Sequence, residues 1–354
     1  MTEQQTTALR PYRVEIPQAD LDDLRDRLAR TRWTSVVDGA DGEYGTALSR
    51  VRRLAEYWRD GFDWRAFEAR LNAHPQFLTE IDGQDIHFLN VKSDAPNGTA
   101  LLLTHGWPGS QAEYLDVIEP LTAAGYDLVI PSIPGYGFAG PTTEKGWNLH
   151  RTARAWVELM ARLGYERYGA VGNDGGSMIS PEVGRLDPDH CVGVHVTQLF
   201  SFPSGDPAEM AELTDEEKKA VETLQWFWEN MGSFNQVQSQ QPQTLAHALS
   251  DSPAACSAGT SSCCRRTSTT TSCWPTSPPT GSPAPPARHC ASTARWPWTP
   301  SGPKARPRSP PRWPAREATS SASAASPSAT TRTSCGGTST RPPATTPRTR
   351  LPRC

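Results

Sequence analysis

An aspartate stands at the centre of Gly172-Asn173-Asp174-Gly175-Gly176-Ser177, between a short apolar run and the stretch 178–186. A small-x-nucleophile-x-small pattern at a strand-to-helix turn holds its central residue in strained backbone space and exposes the side chain. Small neighbours are needed because strand and helix approach closely there. With a carboxylate at the centre, the chemistry is attack on an sp³ carbon, displacing an oxygen or a halide and leaving an alkyl ester on the protein. Water activated by a histidine would then hydrolyse that ester. The same residues also fit a glycine-rich turn whose aspartate caps a helix.

A second motif favours the first reading. His105-Gly106-Trp107-Pro108-Gly109-Ser110 closes a continuous apolar run upstream of the aspartate. Backbone N–H groups in such a turn can point at a developing oxyanion. The N–H of Gly175 would complete the hole. His105 by itself reads as a loop histidine rather than a base. A third motif, Pro131-Ser132-Ile133-Pro134-Gly135-Tyr136-Gly137-Phe138, reads equally as a rigid connector.

The elements that must position these motifs follow from periodicity. Residues 10–75 read as amphipathic helices, with stripes at Leu21, Leu24, Leu28 and Trp33, and at Val51, Leu54, Tyr57 and Trp58. Two strand-like runs flank Asp82-Gly83, a hairpin signal. The runs 100–105 and 126–131 are apolar throughout, as strands buried on both faces are. A helix is expected over 149–163 and a short strand over 168–172. Strand, helix and strand in succession predict a mostly parallel sheet with crossover helices. Residues 207–250 read as a polar helical lid.

The order of the three motifs on consecutive strand ends resembles the microsomal-type epoxide hydrolase family. Arg10-Pro11-Tyr12 and Leu28-Ala29-Arg30-Thr31-Arg32-Trp33 are similar to that family's N-terminal segment. The resemblance runs over about residues 8–255. It implies an eight-stranded α/β-hydrolase fold with an N-terminal helical wrap and a lid insertion. The implied divisions are an N-terminal segment at 8–115, a hydrolase core at 80–203 and the start of a lid at 204–255. It further implies Asp174 as nucleophile, with the N–H groups of Trp107 and Gly175 as the oxyanion hole. The implied substrate is a small apolar epoxide, and neither metal nor organic cofactor is implied. The family's first lid tyrosine, which protonates the epoxide oxygen, falls at Phe234, and phenylalanine has no hydroxyl to give. Its second lid tyrosine, histidine base and supporting carboxylate all belong after residue 255. One histidine lies there, His289, in an Ala-Arg-His-Cys setting unlike the family's.

Composition changes sharply after Ala255. From 256 to 354 there is no Val, Ile, Phe, Tyr, Met, Asn, Asp or Gln, and Leu351 is the one large aliphatic residue. Such a segment cannot bury enough apolar surface to offset its ordering entropy, so 256–354 is expected to be a low-complexity, irregular tail. The tail holds 14 basic residues and one acid, a net +13, so the total of −3 leaves −16 on the body. A basic arm of this kind suits nucleic acid or a membrane surface. Frameshifted translation explains it better. Joining the last base of each codon to the first two of the next, residues 344–351 permit His-Tyr-Ala-Ala-His-Glu-Ala, close to the setting of the family's catalytic histidine. With the same offset, residues 280–283 permit Tyr-Trp-Leu-Thr and residues 255–259 permit Leu-Leu-Gly-Trp.

Seven of the eight cysteines lie in this tail, with spacings that fit no metal motif. The first residues lack a basic-then-apolar leader, and no apolar run approaches the roughly 18 residues of a membrane span. The expectation is a cytoplasmic protein that engages neither nucleic acid nor membrane; its oligomeric state is left open. Two other readings stand beside an epoxide hydrolase: a dehalogenase with the same aspartate, and a non-catalytic remnant carrying a basic interaction tail.

Overall fold

Alternation along the strands builds the sheet, which a computed structural model describes over residues 8–263, apart from residues 96–97, 200, 202–203 and 231. Strands β2 (Gln76–Ile81) and β3 (Gln84–Val91) form a hairpin across Asp82 and Gly83, both at positive φ, as a tight two-residue turn requires. Strands β4 (Ala100–Thr104), β5 (Asp127–Pro131), β6 (Tyr168–Gly172) and β7 (Cys191–Val196) follow. With β1 (Arg10–Tyr12) they give one sheet ordered β1-β2-β3-β5-β4-β6-β7. Pairing is parallel from β5 through β7 and antiparallel between β1, β2, β3 and β5.

Successive side chains on the central strands point to opposite faces. Phe88, Leu102 and Val129 join one core with Trp156, Leu159 and Met160 of α5 (Leu149–Arg162) and Ile179 and Val183 of α6 (Gly176–Leu186). Their neighbours Leu89, Leu103, Leu128 and Ile130 join a second core with Trp64, Phe67 and Leu71 of α3 (Trp64–Asn72) and Ile118 of α4 (Ile118–Ala123). The uninterrupted apolar runs of β4 and β5 are therefore a consequence of cover on both faces.

The N-terminal wrap departs in part from its expected form. Helices α1 (Gln18–Ala29) and α2 (Leu48–Glu56) are present, and Leu28, Ala55 and Trp58 form a small third core. Residues 10–12 are a strand, however, because they pair with the open edge of β2. Tyr57, placed on a buried stripe by its spacing, is 48% exposed. The lid comprises α7 (Pro207–Glu212), α8 (Asp215–Asn230), α9 (Ser233–Gln240) and α10 (Pro242–Asp251).

Among the described residues the sheet has seven strands, one of them the N-terminal β1, where eight were expected for the hydrolase core. Helix α11 (Pro253–Cys263) continues past the expected start of the tail. Ser252 caps it, accepting from the N–H of Ala255 at 3.2 Å, and Pro253 occupies its first turn. Thr46 of the wrap donates to the carbonyl of Ala258 at 3.2 Å. The first eight residues of the supposed tail are thus helical. The remainder, with His289, lies outside the described residues. No described helix is long and apolar enough to cross a membrane.

Candidate active site

Strand β6 ends at Gly172 and helix α6 starts at Gly176, so the chain reverses within three residues. Asp174 absorbs the turn at φ 46°, in the left-handed region that costs a non-glycine residue energy. A side chain at Gly176 would run into the carbonyl of Thr104 at the end of β4, and one at Gly172 into the carbonyl of Gly176. Those two glycines are therefore conditions of the turn.

Oδ1 of Asp174 accepts the N–H of Trp107 at 2.9 Å and that of Gly175 at 2.7 Å. The backbone N–H of Asp174 donates to Oε1 of Gln198 at 3.0 Å. Burial pushes the Asp174 carboxyl above its ordinary value, and the two N–H groups pull it partly back. The structure thus brings together all three residues singled out in the sequence, Trp107, Asp174 and Gly175. The cis Trp107–Pro108 peptide follows the first of them.

His105 has a different task. It is fully buried, its Nδ1 donates to the carbonyl of Gly106 at 3.0 Å, and its Nε2 accepts the N–H of Ile133 at 3.1 Å. That arrangement fixes a neutral ring tying the strand-end loops together. Tyr136 of the third motif packs edge-on against it, at 5.5 Å between ring centroids. A small pocket of about 30 Å³ beside Trp107 and Gly175 is lined also by Ile133, Tyr136, Trp147 and Ile179 among others. The ring of Phe234 in α9 lies on the indole of Trp107.

The sequence reading missed Glu113, Tyr114 and the role of Asn173. Nδ2 of Asn173 donates to Oε2 of Glu113 at 2.7 Å, and the hydroxyl of Tyr114 lies 2.8 Å from both Oδ1 of Asn173 and the carbonyl oxygen of Thr104. Burial, and the nearby charge of Asp174, push the Glu113 carboxyl up to about 7 against the pull of Asn173. Ser110-Gln111-Ala112-Glu113 has the spacing of a capping box, which disguises this. Ser110 does cap the short 3₁₀ turn Gln111–Tyr114, but the Glu113 side chain turns toward the elbow instead. Among the described residues no cluster of His, Cys, Asp and Glu could hold a metal ion.

A sheet that is parallel at its centre, with an aspartate elbow at the end of β6 and two backbone N–H groups on its carboxylate, defines an α/β-hydrolase with a carboxylate at the nucleophile position. The family described as Epoxide hydrolase N terminus matches residues 9–114, and the alpha/beta hydrolase fold matches residues 99–266. A protein of Stigmatella aurantiaca assigned to the epoxide hydrolases is 40% identical over 252 residues, covering 69% of this chain and 57% of its own length. Epoxide hydrolase 1 of Sus scrofa is 32% identical over 279 residues, covering 70% of this chain and 60% of its own. The chain therefore spans well under two thirds of both curated relatives. Among solved structures, the Aspergillus niger epoxide hydrolase superposes with a TM-score of 0.62 at 32% identity, over 72% of this chain and 69% of that one. The chain belongs to the epoxide hydrolase family of the α/β-hydrolase superfamily.

Proposed function

We propose that Asp174 opens an epoxide by attack on one of its ring carbons. The observation that carries this is the pair of N–H groups on Oδ1 of Asp174, which leaves Oδ2 to attack. The Oδ2–carbon bond forms as the ring carbon–oxygen bond breaks, and the freed alkoxide takes a proton from water. Oδ1 becomes the carbonyl oxygen of the ester. Water attacking that ester carbon would place negative charge on Oδ1, where the N–H groups of Trp107 and Gly175 already point. Collapse returns the Asp174 carboxylate and releases a vicinal diol.

The two half-reactions are unequally served. Attack needs a carboxylate and a hole, and both are supported by the elbow geometry. Ester hydrolysis needs a base, and among the described residues no histidine is hydrogen-bonded to Asp174. General-base catalysis is worth on the order of 10²–10⁴ in rate. The proposal is therefore ring opening without rapid turnover: the chain collects as the alkyl ester. Incubating the 354-residue chain with styrene oxide and mapping its peptides by mass tests this. One adduct per chain on the peptide carrying Asp174, absent in Asp174→Asn, is expected. Many diols formed per chain, or labelling that ignores Asp174→Asn, would overturn it.

A further inference from the structure

Glu113 lies behind the elbow, and the hydrogen-bond chain it starts can be solved for its protons. Tyr114 has one hydroxyl proton and two oxygen-side neighbours, the Thr104 carbonyl and the Asn173 amide, both at 2.8 Å. The Asn173 amide turns Oδ1 to Tyr114 and Nδ2 to Glu113, so two acceptors compete for the one Tyr114 proton. Giving that proton to Thr104 and turning the amide over satisfies both. The contact with Asn173 is then made by the Asn173 NH₂ donating to the Tyr114 oxygen. A side-chain amide presents its oxygen and nitrogen in nearly the same shape, so turning it over moves no neighbour. In the turned orientation the Asn173 oxygen takes the place of Nδ2, which lies 2.7 Å from Oε2 of Glu113. Two oxygens at that distance need a proton between them, and only Glu113 can bring one. The chain reads Glu113 O–H to Asn173 O, Asn173 N–H to Tyr114 O, Tyr114 O–H to the Thr104 carbonyl.

We propose that Glu113 is a positioning residue that holds a proton behind the nucleophile, and that releasing this proton resets the amide next to Asp174 and changes its reactivity. The inference rests on the reading of Asp174 as nucleophile. When the proton leaves to water, the Asn173 amide must turn to give its N–H to the new carboxylate. Its oxygen then faces Tyr114, whose single proton cannot serve both Thr104 and Asn173. Ionisation thus costs one hydrogen bond, which favours the protonated form, as burial does.

The groups facing Glu113 are few. Asn173 and Asp174 reach it from the elbow, Tyr114 reaches it through Asn173, and Gly109 of the preceding loop abuts its carboxyl. Among the described residues it makes no ion pair. Once Glu113 is charged, the Asp174 carboxylate sits beside a like charge. In attack Asp174 gives up negative charge to the new bond, so that repulsion is relieved and alkylation quickens. In ester hydrolysis charge builds on Oδ1, so the same repulsion slows the step. Proton loss from Glu113 trades one half-reaction against the other.

Two measurements on the full chain test this. Infrared spectra of protein carrying carbon-13 glutamate should show a protonated carboxyl stretch at pH 6. It should fade as pH rises to about 7 and above, and be missing in Glu113→Gln. The rate of Asp174 alkylation by styrene oxide should rise about threefold across the same interval, as a neighbouring like charge is relieved in the attack. Glu113→Gln keeps a donor toward the Asn173 oxygen and should hold the low-pH rate with no step. A residue that merely packs would lower the rate at every pH and leave the step in place. No protonated glutamate assignable to position 113, or a step that survives in Glu113→Gln, overturns the proposal. If Asp174 is never alkylated, the nucleophile assignment fails, and the infrared result still decides the state of Glu113.

Discussion

The ring of Phe234 lies flat on the indole of Trp107, with centroids 5.6 Å apart and planes 6° from parallel. The residue whose N–H helps hold Asp174 is thus roofed by Phe234, at the position where the resemblance leads one to expect a lid tyrosine. The stack supplies apolar cover and no proton. Phe234→Tyr keeps the ring and adds a hydroxyl over the site. It is expected to speed alkylation of Asp174 by about tenfold, below the usual range for general-acid help because the second donor is still missing. Stopped reactions with mass readout of the adduct measure this. An unchanged rate would show that the hydroxyl does not reach the departing oxygen.

Alkylation should also report the burial of Asp174. Its carboxyl is held above the ordinary aspartate value, so the carboxylate is lost at a higher pH than that of a surface aspartate. The adduct rate should fall as pH drops through that raised value. A raised carboxyl is proton-bound in the folded chain where it is ionised in the unfolded one. Its contribution to stability is therefore present below the unfolded value and lost as pH rises through the folded one. A rate that falls only as pH drops through the value of a surface aspartate would show that Asp174 is not desolvated.

His87 produces the opposite slope. Its buried ring lies 3.0 Å from both Ser132 Oγ and Gln76 Oε1, and burial depresses it from 6.5 to about 3. The folded chain keeps it neutral while the unfolded chain charges it. Stability from this group is present above 6.5 and drains away as pH falls toward 3. Thermal melts between pH 6.5 and 4 should show a declining Tm, with a shallower decline in His87→Leu. Equal slopes would assign the acid sensitivity to the carboxylates.

These residues also mark how far the sequence could be read. The elbow, the oxyanion loop and the Asp82-Gly83 hairpin are local patterns, and local patterns survive without coordinates. Strand β1 is three residues long and exists through pairing with Gln76, Phe77 and Leu78, which no window around Arg10 contains. Strand β7 carries Gly193 and exposed Val192 and Val194, so it lacks the apolar run that marked β4 and β5. Glu113 was hidden by a capping-box spacing. Helix α11 was hidden by its alanine, serine and cysteine content, although Ser252-Pro253 is a helix start signal.

The glycines under the elbow give a stability prediction. A methyl at Gly176 would meet the Thr104 carbonyl, which β4 cannot move without breaking its register with β6. Gly176→Ala should cost about 1–3 kcal/mol, as overpacked core sites do, and should lower the alkylation rate as the Gly175 N–H shifts. Urea unfolding measures the first effect and adduct formation the second. A variant with unchanged midpoint and rate would show that the elbow has room that the geometry denies.

The last prediction joins the tail to the fold. A cavity of about 420 Å³ lies between the wrap and α11, lined by Trp33, Tyr44 and Val51 on one side and by Ala254, Ala255 and Ala258 on the other. Small residues on α11 leave the space beside Trp33 and Val51 only partly filled, which forfeits dispersion contacts there. The shifted frame permits Leu-Leu-Gly-Trp across residues 255–259, which would put bulky apolar groups at positions that line this space. Ala258→Leu in the chain as it stands should gain about 0.5–2 kcal/mol by filling the cavity. Translating the shifted frame from Ala255 should gain more. It should also give multiple-turnover diol formation if the histidine that residues 344–351 permit in that frame serves as the base. Asp174→Asn in that repaired chain should abolish the turnover. A repaired chain that is no more stable than the present one, and still stops at a single adduct, would show that the tail is not an out-of-frame copy of the missing part of the fold.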